Sequence, residues 1–194
     1  YVMPDFHESE KNEIWAINTS LWDTANISVA EWMEREFLNF PVYDVRAFGI
    51  RIKRGDTLVN TRIMRETSGA WSITSPIQAP ADTDTVRLFL NQLISSKAIR
   101  FVTDPTEVKS LSSRLESPAF RIHLEGSSSG RSVVIGEPID DGNGANLRPA
   151  QVEGESAIFI VNESLVSLLA NAEGRLRNRR LLSLDSKTIG TIEI

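Results

Sequence analysis

An internal repeat constrains the fold of this chain more than any other feature of its sequence. Residues 14–50 align without a gap on residues 158–194, at an offset of 144 positions. Seven of the 37 aligned positions are identical, where average residue usage would give about two by chance. Apolar positions also stay in register, as at Trp15 and Phe159. This match predicts the same local structure twice; the alternative is two unrelated segments of similar composition.

Each copy of the repeat has the pattern of a strand, one or two short helices and a second strand. A short apolar run opens the first copy, and Ser28–Glu31 has the spacing of a capping box before an amphipathic stretch. Between the copies, apolar residues recur at helical spacing over residues 86–94, and Asp82 is placed to cap this helix. Apolar and polar residues alternate over residues 120–125, which predicts a half-buried strand.

Strands that mostly arrive as hairpins, with helices interspersed, predict an α+β fold. We expect a mostly antiparallel or mixed sheet with helices on one face, which contains the strand–helix–strand repeat. The offset of 144 residues would make residues 44–194 one complete α+β unit and residues 1–43 the tail of a preceding unit. The two copies could instead pair as edge elements of one pseudo-symmetric sheet within a single globule. The sequence leaves both arrangements open.

Composition excludes several functional classes. A net charge of −5 argues against nucleic-acid binding, which usually requires a basic face. The chain has no cysteine, which excludes disulfides, thiol nucleophiles and cysteine-ligated metals, and its two histidines, His7 and His123, lie far apart. The carboxylates are scattered, and no Gly-x-Ser-x-Gly elbow occurs. We therefore nominate no catalytic, cofactor-binding or metal-binding residue, and we expect neither enzymatic activity nor a cofactor.

The sequence carries no membrane-spanning or signal pattern of its own. No apolar run approaches the roughly 18–20 residues that are needed to cross a bilayer. The chain begins at Tyr1, with no charged segment before an apolar one. We expect it to be an internal piece of a longer protein, with any membrane anchor or signal outside this piece.

The densest basic run lies near the end of the second copy of the repeat. Arg175, Arg177 and Arg180 could form a docking patch for an acidic partner or an anionic lipid surface. The alternative is a solvated helix face whose charges complement the C-terminal end of the helix. Arg179 aligns with Arg35 of the first copy, so we assign Arg179 to the scaffold and leave the other three arginines for a partner.

Two further segments carry polar residues in predicted loops. A candidate ligand loop offers hard oxygen ligands around two glycines, from Asp140, Asp141, Asn143 and Asn146. Its spacing departs from that of an EF-hand, and a flexible turn is the alternative. Residues 126–131 superficially resemble a phosphate loop, but an apolar strand follows them in place of the Gly-Lys-Ser/Thr ending and a helix. We therefore predict a hairpin there.

Several runs of the sequence together resemble a known family. They are Gly69–Pro76, Ala81-Asp82, Val86-x-x-x-Leu90-x-x-Leu93, Phe101-Val102, Ile158–Val161 and Leu176–Leu182. This set is similar to domain-of-unknown-function family 4340, an uncharacterised bacterial family, over most of residues 48–194. The resemblance implies a protein with an N-terminal membrane anchor and an extracytoplasmic repeat region. Such proteins are often encoded beside ABC-type transport systems of the gliding-motility kind.

The resemblance implies a non-enzymatic interaction or accessory module in the periplasm or at the cell surface. Its expected partner is a protein of a membrane transport complex, with the membrane reached only through an anchor outside this piece and no role for nucleic acid. The alternative is a small-ligand or glycan-binding domain, with Trp71 and the Asp140–Asn146 loop beside a groove. A hydrolase that assembles scattered carboxylates with His123 ranks third.

Overall fold

The computed structural model describes residues 35–139 and 146–179, which form an antiparallel sheet with helices packed on it. The described sheet has nine strands, in the order β4-β3-β2-β1-β6-β7-β8-β9-β5. The strands are β1 (Ala47–Arg54), β2 (Thr57–Arg65), β3 (Trp71–Ser75), β4 (Ala79–Pro80), β5 (Arg100–Phe101), β6 (Phe120–Glu125), β7 (Gly130–Ile135), β8 (Arg148–Val152) and β9 (Ile158–Val161). The helices of these ranges are a 3-10 turn (Val42–Asp44), α1 (Thr83–Ile94), α2 (Pro105–Leu115), α3 (Glu163–Ala170) and α4 (Ala172–Leu176). The predicted α+β class with a mostly antiparallel sheet is confirmed.

About half of the repeat lies outside the described residues. Residues 14–34 of the first copy and residues 180–194 of the second are not among them, and only the aligned pair Arg35 and Arg179 is described in both copies. The repeat and the unit boundary at residue 44 therefore stay predictions.

Tight hairpins connect the strands, as the sequence predicts for two of them. Strands β1 and β2 pair up to Arg54 and Thr57, so the loop between them consists of two residues. Gly55 adopts the positive φ of 58° that this turn requires. The Gly126–Ser129 loop closes the hairpin of β6 and β7, with the Gly126 N–H donating to the Ser129 carbonyl at 2.7 Å. Both loops are hairpin turns, as predicted.

Helix α1 forms where the sequence predicts it and packs on the centre of the sheet. The Asp82 carboxylate caps the helix by accepting from the Thr85 N–H at 2.8 Å. The apolar stripe of the helix is buried, and its Phe89 ring stacks on Phe48 of β1 with a centroid distance of 5.6 Å. Phe48 and its strand neighbours Ile50 and Ile52 therefore form the floor of the main core. We call this side of the sheet the inner face and the opposite side the outer face.

Helix α2 packs on the outer face, which corrects the prediction of helices on one face only. Val134 of β7 and Ile158 and Ile160 of β9 point away from α1 and form a second core with Leu111 and Leu115 of α2. All four residues of β9 are buried for this reason. A continuous apolar run is typical of a strand that is covered on both faces. The runs Val133–Ile135 and Ile158–Val161 carried this signal in the sequence.

Helix α2 itself was not predicted, although its start has a clear local signal. The Asp104 carboxylate accepts from the Glu107 N–H at 2.8 Å, and Pro105 occupies the first turn. Glu107 also pairs with Arg100 of the edge strand β5. This hydrogen bond raises the pKa of the Arg100 guanidinium above its ordinary value. The ion pair between Arg100 and Glu107 connects the short edge strand β5 to helix α2.

Both edges of the described sheet are short. Strand β4 has two residues, and the backbone beyond it is bridged, since Asn178 N–H donates to the Pro80 carbonyl at 3.0 Å. Strand β5 also has two residues. Short, covered edges prevent further strands from adding to a sheet. An interaction surface of this body is therefore expected on a face of the sheet and not along an edge.

We predict that Gly126→Ala destabilises the protein by about 1–3 kcal/mol, because an added Cβ would overpack the hairpin. It would lie 2.5 Å from Asp44 Oδ2 and 2.8 Å from Phe40 Cζ. Gly174→Ala in helix α4 is the matched control, since its Cβ would meet nothing within 4 Å. This control should gain up to about 1 kcal/mol. Urea denaturation measures both changes, and equal effects would contradict the hairpin packing.

A second prediction tests the core under α2. Leu115→Ala should lower the free energy of unfolding by about 2–4 kcal/mol, because Leu115 is 7% exposed within that core. Leu88→Ala makes the same chemical change on α1, where Leu88 is 55% exposed, and should stay within about 0.5 kcal/mol of the parent. A Leu115→Ala variant as stable as the control would show that α2 does not cover the outer face.

Candidate functional site

The outer face is open to solvent over β2, β1 and β6, where helix α2 does not reach. Gly49 and Arg51 alternate with the buried residues of β1, and Arg121 and His123 do the same on β6. Such alternation is typical of a sheet with one packed and one solvated face. These outward positions bring together polar side chains from strands that are far apart in the sequence.

A shallow groove of about 390 Å³ crosses this face. Gly49 lies at its centre, and its partners in the neighbouring strands are Arg62 on β2 and His123 on β6. In the next row, Arg51 lies beside Arg121. The groove is lined by Gly49, Ile50, Arg51, Asn60, Thr61, Arg62, Ser75, Arg121, His123, Ser132 and Glu153. We call this feature the arginine groove.

The three arginines of the groove differ in their partners. Arg62 donates from both terminal nitrogens to the Glu125 carboxylate, at 2.8 Å each. Arg121 pairs with Glu153 through Nη1. Arg51 donates from Nε to the neutral Asn60 Oδ1 at 2.9 Å. Within the described part of the chain, the groove therefore has one arginine charge that faces a neutral amide, in a chain whose net charge is −5.

His123 contacts a hydroxyl and a carboxylate, the two kinds of group that flank a catalytic histidine in hydrolases. Its Nδ1 lies 2.7 Å from Ser132 Oγ, and its Nε2 lies 3.6 Å from Glu125 Oε1. Both His123 and Ser132 stand on interior strands, where backbone N–H groups are engaged in the sheet ladder. An oxyanion hole needs free N–H groups that converge beside the nucleophile. Glu125 is moreover held by Arg62, so this geometry favours a cross-strand polar cluster over a hydrolase site.

The basic run predicted as a docking patch is partly described. Arg175 and Arg177 are exposed, and together with Arg179 they line a second depression of about 440 Å³ beside the start of α1. Arg179 donates from Nη2 to the Gly174 carbonyl at 2.8 Å, which agrees with its assignment to the scaffold. Arg180 lies outside the described residues, so a patch of all three predicted arginines is not tested.

Of the candidate ligand loop, only Asn146 is described, and it is exposed. Asp140, Asp141 and Asn143 lie outside the described residues. Trp71 is 7% exposed and packs edge-on against Phe48, with a centroid distance of 5.8 Å. It therefore offers no open ring face for a sugar.

Neither a metal-binding cluster nor a membrane-spanning helix occurs in the described part of the chain. Within residues 35–139 and 146–179, no three acidic or histidine side chains come together in a way that could hold a metal ion. None of the helices in these ranges is long and apolar enough to cross a membrane.

Sequence reasoning missed the arginine groove. Its signal was the set of outward positions on predicted strands, such as Arg121 and His123. Their partners on β1, Arg51 and Gly49, lie about 70 positions earlier in the chain, and only the pairing of β1 with β6 brings these groups together.

Comparison with known proteins gives one match. The model of the family described as Domain of unknown function (DUF4340) matches residues 71–194, which is more than half of the chain. No curated protein and no solved structure matches at a significant level. The match begins at the first residue of β3 and includes both faces of the sheet from β6 to β9. The chain belongs to this family of domains of unknown function.

Proposed function

We propose that this chain is a non-enzymatic interaction module of a membrane-anchored, extracytoplasmic protein that assists an ABC-type transport system. The observation that carries the proposal is the arginine groove on the open part of the outer face. Helix α2 covers one part of the outer face and leaves the charged groove in the other part open. An open, charged groove is a natural place for a partner to bind. Membership of the family, whose members resemble anchored accessory proteins, supports the location and the transport partner.

The chemistry of the groove supports binding over catalysis. Arg62 and Arg121 are held by carboxylates on neighbouring elements, which fixes the positions of their guanidinium groups. Fixed charges suit recognition, because little side-chain entropy is then lost when a partner binds. His123 contacts the Ser132 hydroxyl across two neighbouring strands of the sheet, and we assign this pair to the polar lining of the groove.

The internal repeat belongs to the same proposal. A repeated α+β unit at residues 44–194, preceded by the tail of another unit, would present one such sheet face for each unit. Phe37 packs on Phe159 with a centroid distance of 4.6 Å, so residues 35–43 pack on the sheet of the unit that follows them. The alternative, a glycan-binding domain, has less support, because the Trp71 ring is buried and cannot stack on a sugar.

A cysteine-labelling experiment tests the location and the assembly. These 194 residues contain no cysteine, so Leu88→Cys at an exposed position of α1 introduces a reactive thiol at a known place in the full-length protein. We expect a membrane-impermeant maleimide to label this thiol in intact cells. We also expect the full-length protein to co-purify with the membrane subunits of an ABC-type transporter.

The parent protein without the Leu88→Cys substitution serves as the blank, and a cytosolic thiol protein checks that the cells stay intact. Labelling that requires cell lysis, together with recovery of the protein in the cytosol without an anchor, would overturn the proposed function.

A further inference from the structure

The position of Gly49 points to a ligand on the outer face. Gly49 lies inside the central strand β1, where a glycine weakens a sheet by roughly 0.5–1 kcal/mol relative to alanine. Its φ is not positive, and an added Cβ would meet only the Thr61 carbonyl at 3.9 Å. Neither backbone strain nor packing therefore requires glycine here. Its effect is to keep the floor of the groove free for a group that approaches the backbone closely.

A pair of like charges lies next to this open floor. Arg51 and Arg121 are direct partners across β1 and β6, and both point to the outer face. Like charges directly opposite each other destabilise a sheet. Glu153 compensates Arg121, whereas Arg51 has only the Asn60 amide among the partners in the described chain. An anion that bridged the two guanidinium groups would remove this repulsion.

From these two observations we propose that the arginine groove binds the carboxylates of an acidic, extended segment of a partner polypeptide, an inference that rests on the proposed function. Arg51 keeps its two terminal nitrogens for the ligand, because its bond to Asn60 uses Nε. Arg121 keeps Nη2, because Glu153 is bound through Nη1. Two guanidinium edges side by side match the planar, bidentate geometry of a carboxylate.

The shape of the groove favours an extended peptide. It crosses six strands, from Ser75 on β3 to Glu153 just after β8. This span is about 24 Å, which an extended chain of about seven residues covers. Among the described residues that line the groove there is no Phe, Tyr or Trp, so it lacks the large aromatic stacking surface that sugars and bases prefer. The net charge of −5 further disfavours a dense polyanion, whereas a short segment with a few carboxylates meets only the local positive charge.

The inference is tested with a seven-residue fluorescent peptide in which glutamate and glycine alternate, titrated onto the whole chain and followed by anisotropy. We expect the glutamate peptide to bind at least about tenfold more tightly than its glutamine counterpart, and added salt to weaken the binding. Arg51→Gln and Arg121→Gln should each weaken it about fivefold or more. Gly49→Ala should weaken it as well, because its methyl group enters the floor of the groove.

Arg87→Gln is the matched control, since Arg87 is an exposed arginine of α1 on the other side of the sheet. This variant should bind the peptide within about twofold of the parent. Arg51→Gln should also be at least as stable as the parent, because it removes the repulsion from Arg121. A loss of binding in that variant would then not reflect unfolding, and thermal denaturation checks this point.

Three results would overturn the inference. They are equal effects of Arg51→Gln and Arg87→Gln, equal binding of the glutamate and glutamine peptides, and binding of dextran sulfate or tripolyphosphate where the glutamate peptide does not bind. None of these would change the labelling of Leu88→Cys in intact cells. Conversely, recovery of the full-length protein in the cytosol without an anchor would overturn the proposed function even if the purified chain bound the peptide.

Discussion

The pairing of β1 with β6 is the interaction on which the rest of this structure depends. It joins the strands β1–β4 to the strands β6–β9, which are otherwise two separate antiparallel groups. On the inner face it aligns Ile50 with Ile122 and Phe48 with Leu124, so the floor of the main core is built across this one junction. Because side chains alternate between the faces of a sheet, the same register determines which residues meet on the outer face.

The outer face is where the junction has a functional consequence. The register that buries Ile50 and Ile122 also sets Arg51 beside Arg121 and Gly49 beside His123. A glycine inside a strand and two adjacent arginines both reduce the stability of a sheet. They lie where the outer face is open, whereas the β7–β9 end is closed by the core under α2. Stability is thus lost in the region that we assign to binding and gained in the region that serves the scaffold.

The sequence predicted those elements whose signals are local. Helix α1 has its cap and stripe within one stretch of chain, and the hairpins carry glycine at their turns. Helix α2 has an equally local signal in Asp104 and Glu107. Most of its residues are polar, however, and its two buried leucines are too few to form a clear apolar stripe in the sequence. The second core could have been inferred from the continuous apolar run Ile158–Val161. The arginine groove could not be predicted, because its rows depend on a strand register between residues about 70 positions apart.

We propose that a partner covers the outer face over β2, β1 and β6 in the assembled protein. The most direct measurement compares the rates at which single cysteines react with maleimide in the purified chain and in membranes that contain the full-length protein. Ser132→Cys reports on the arginine groove, and Ser167→Cys on the exposed side of α3 is the matched control. We expect assembly to slow labelling severalfold at position 132 and to leave labelling at position 167 unchanged. Unchanged labelling at both positions in the membrane-assembled protein would contradict the proposal.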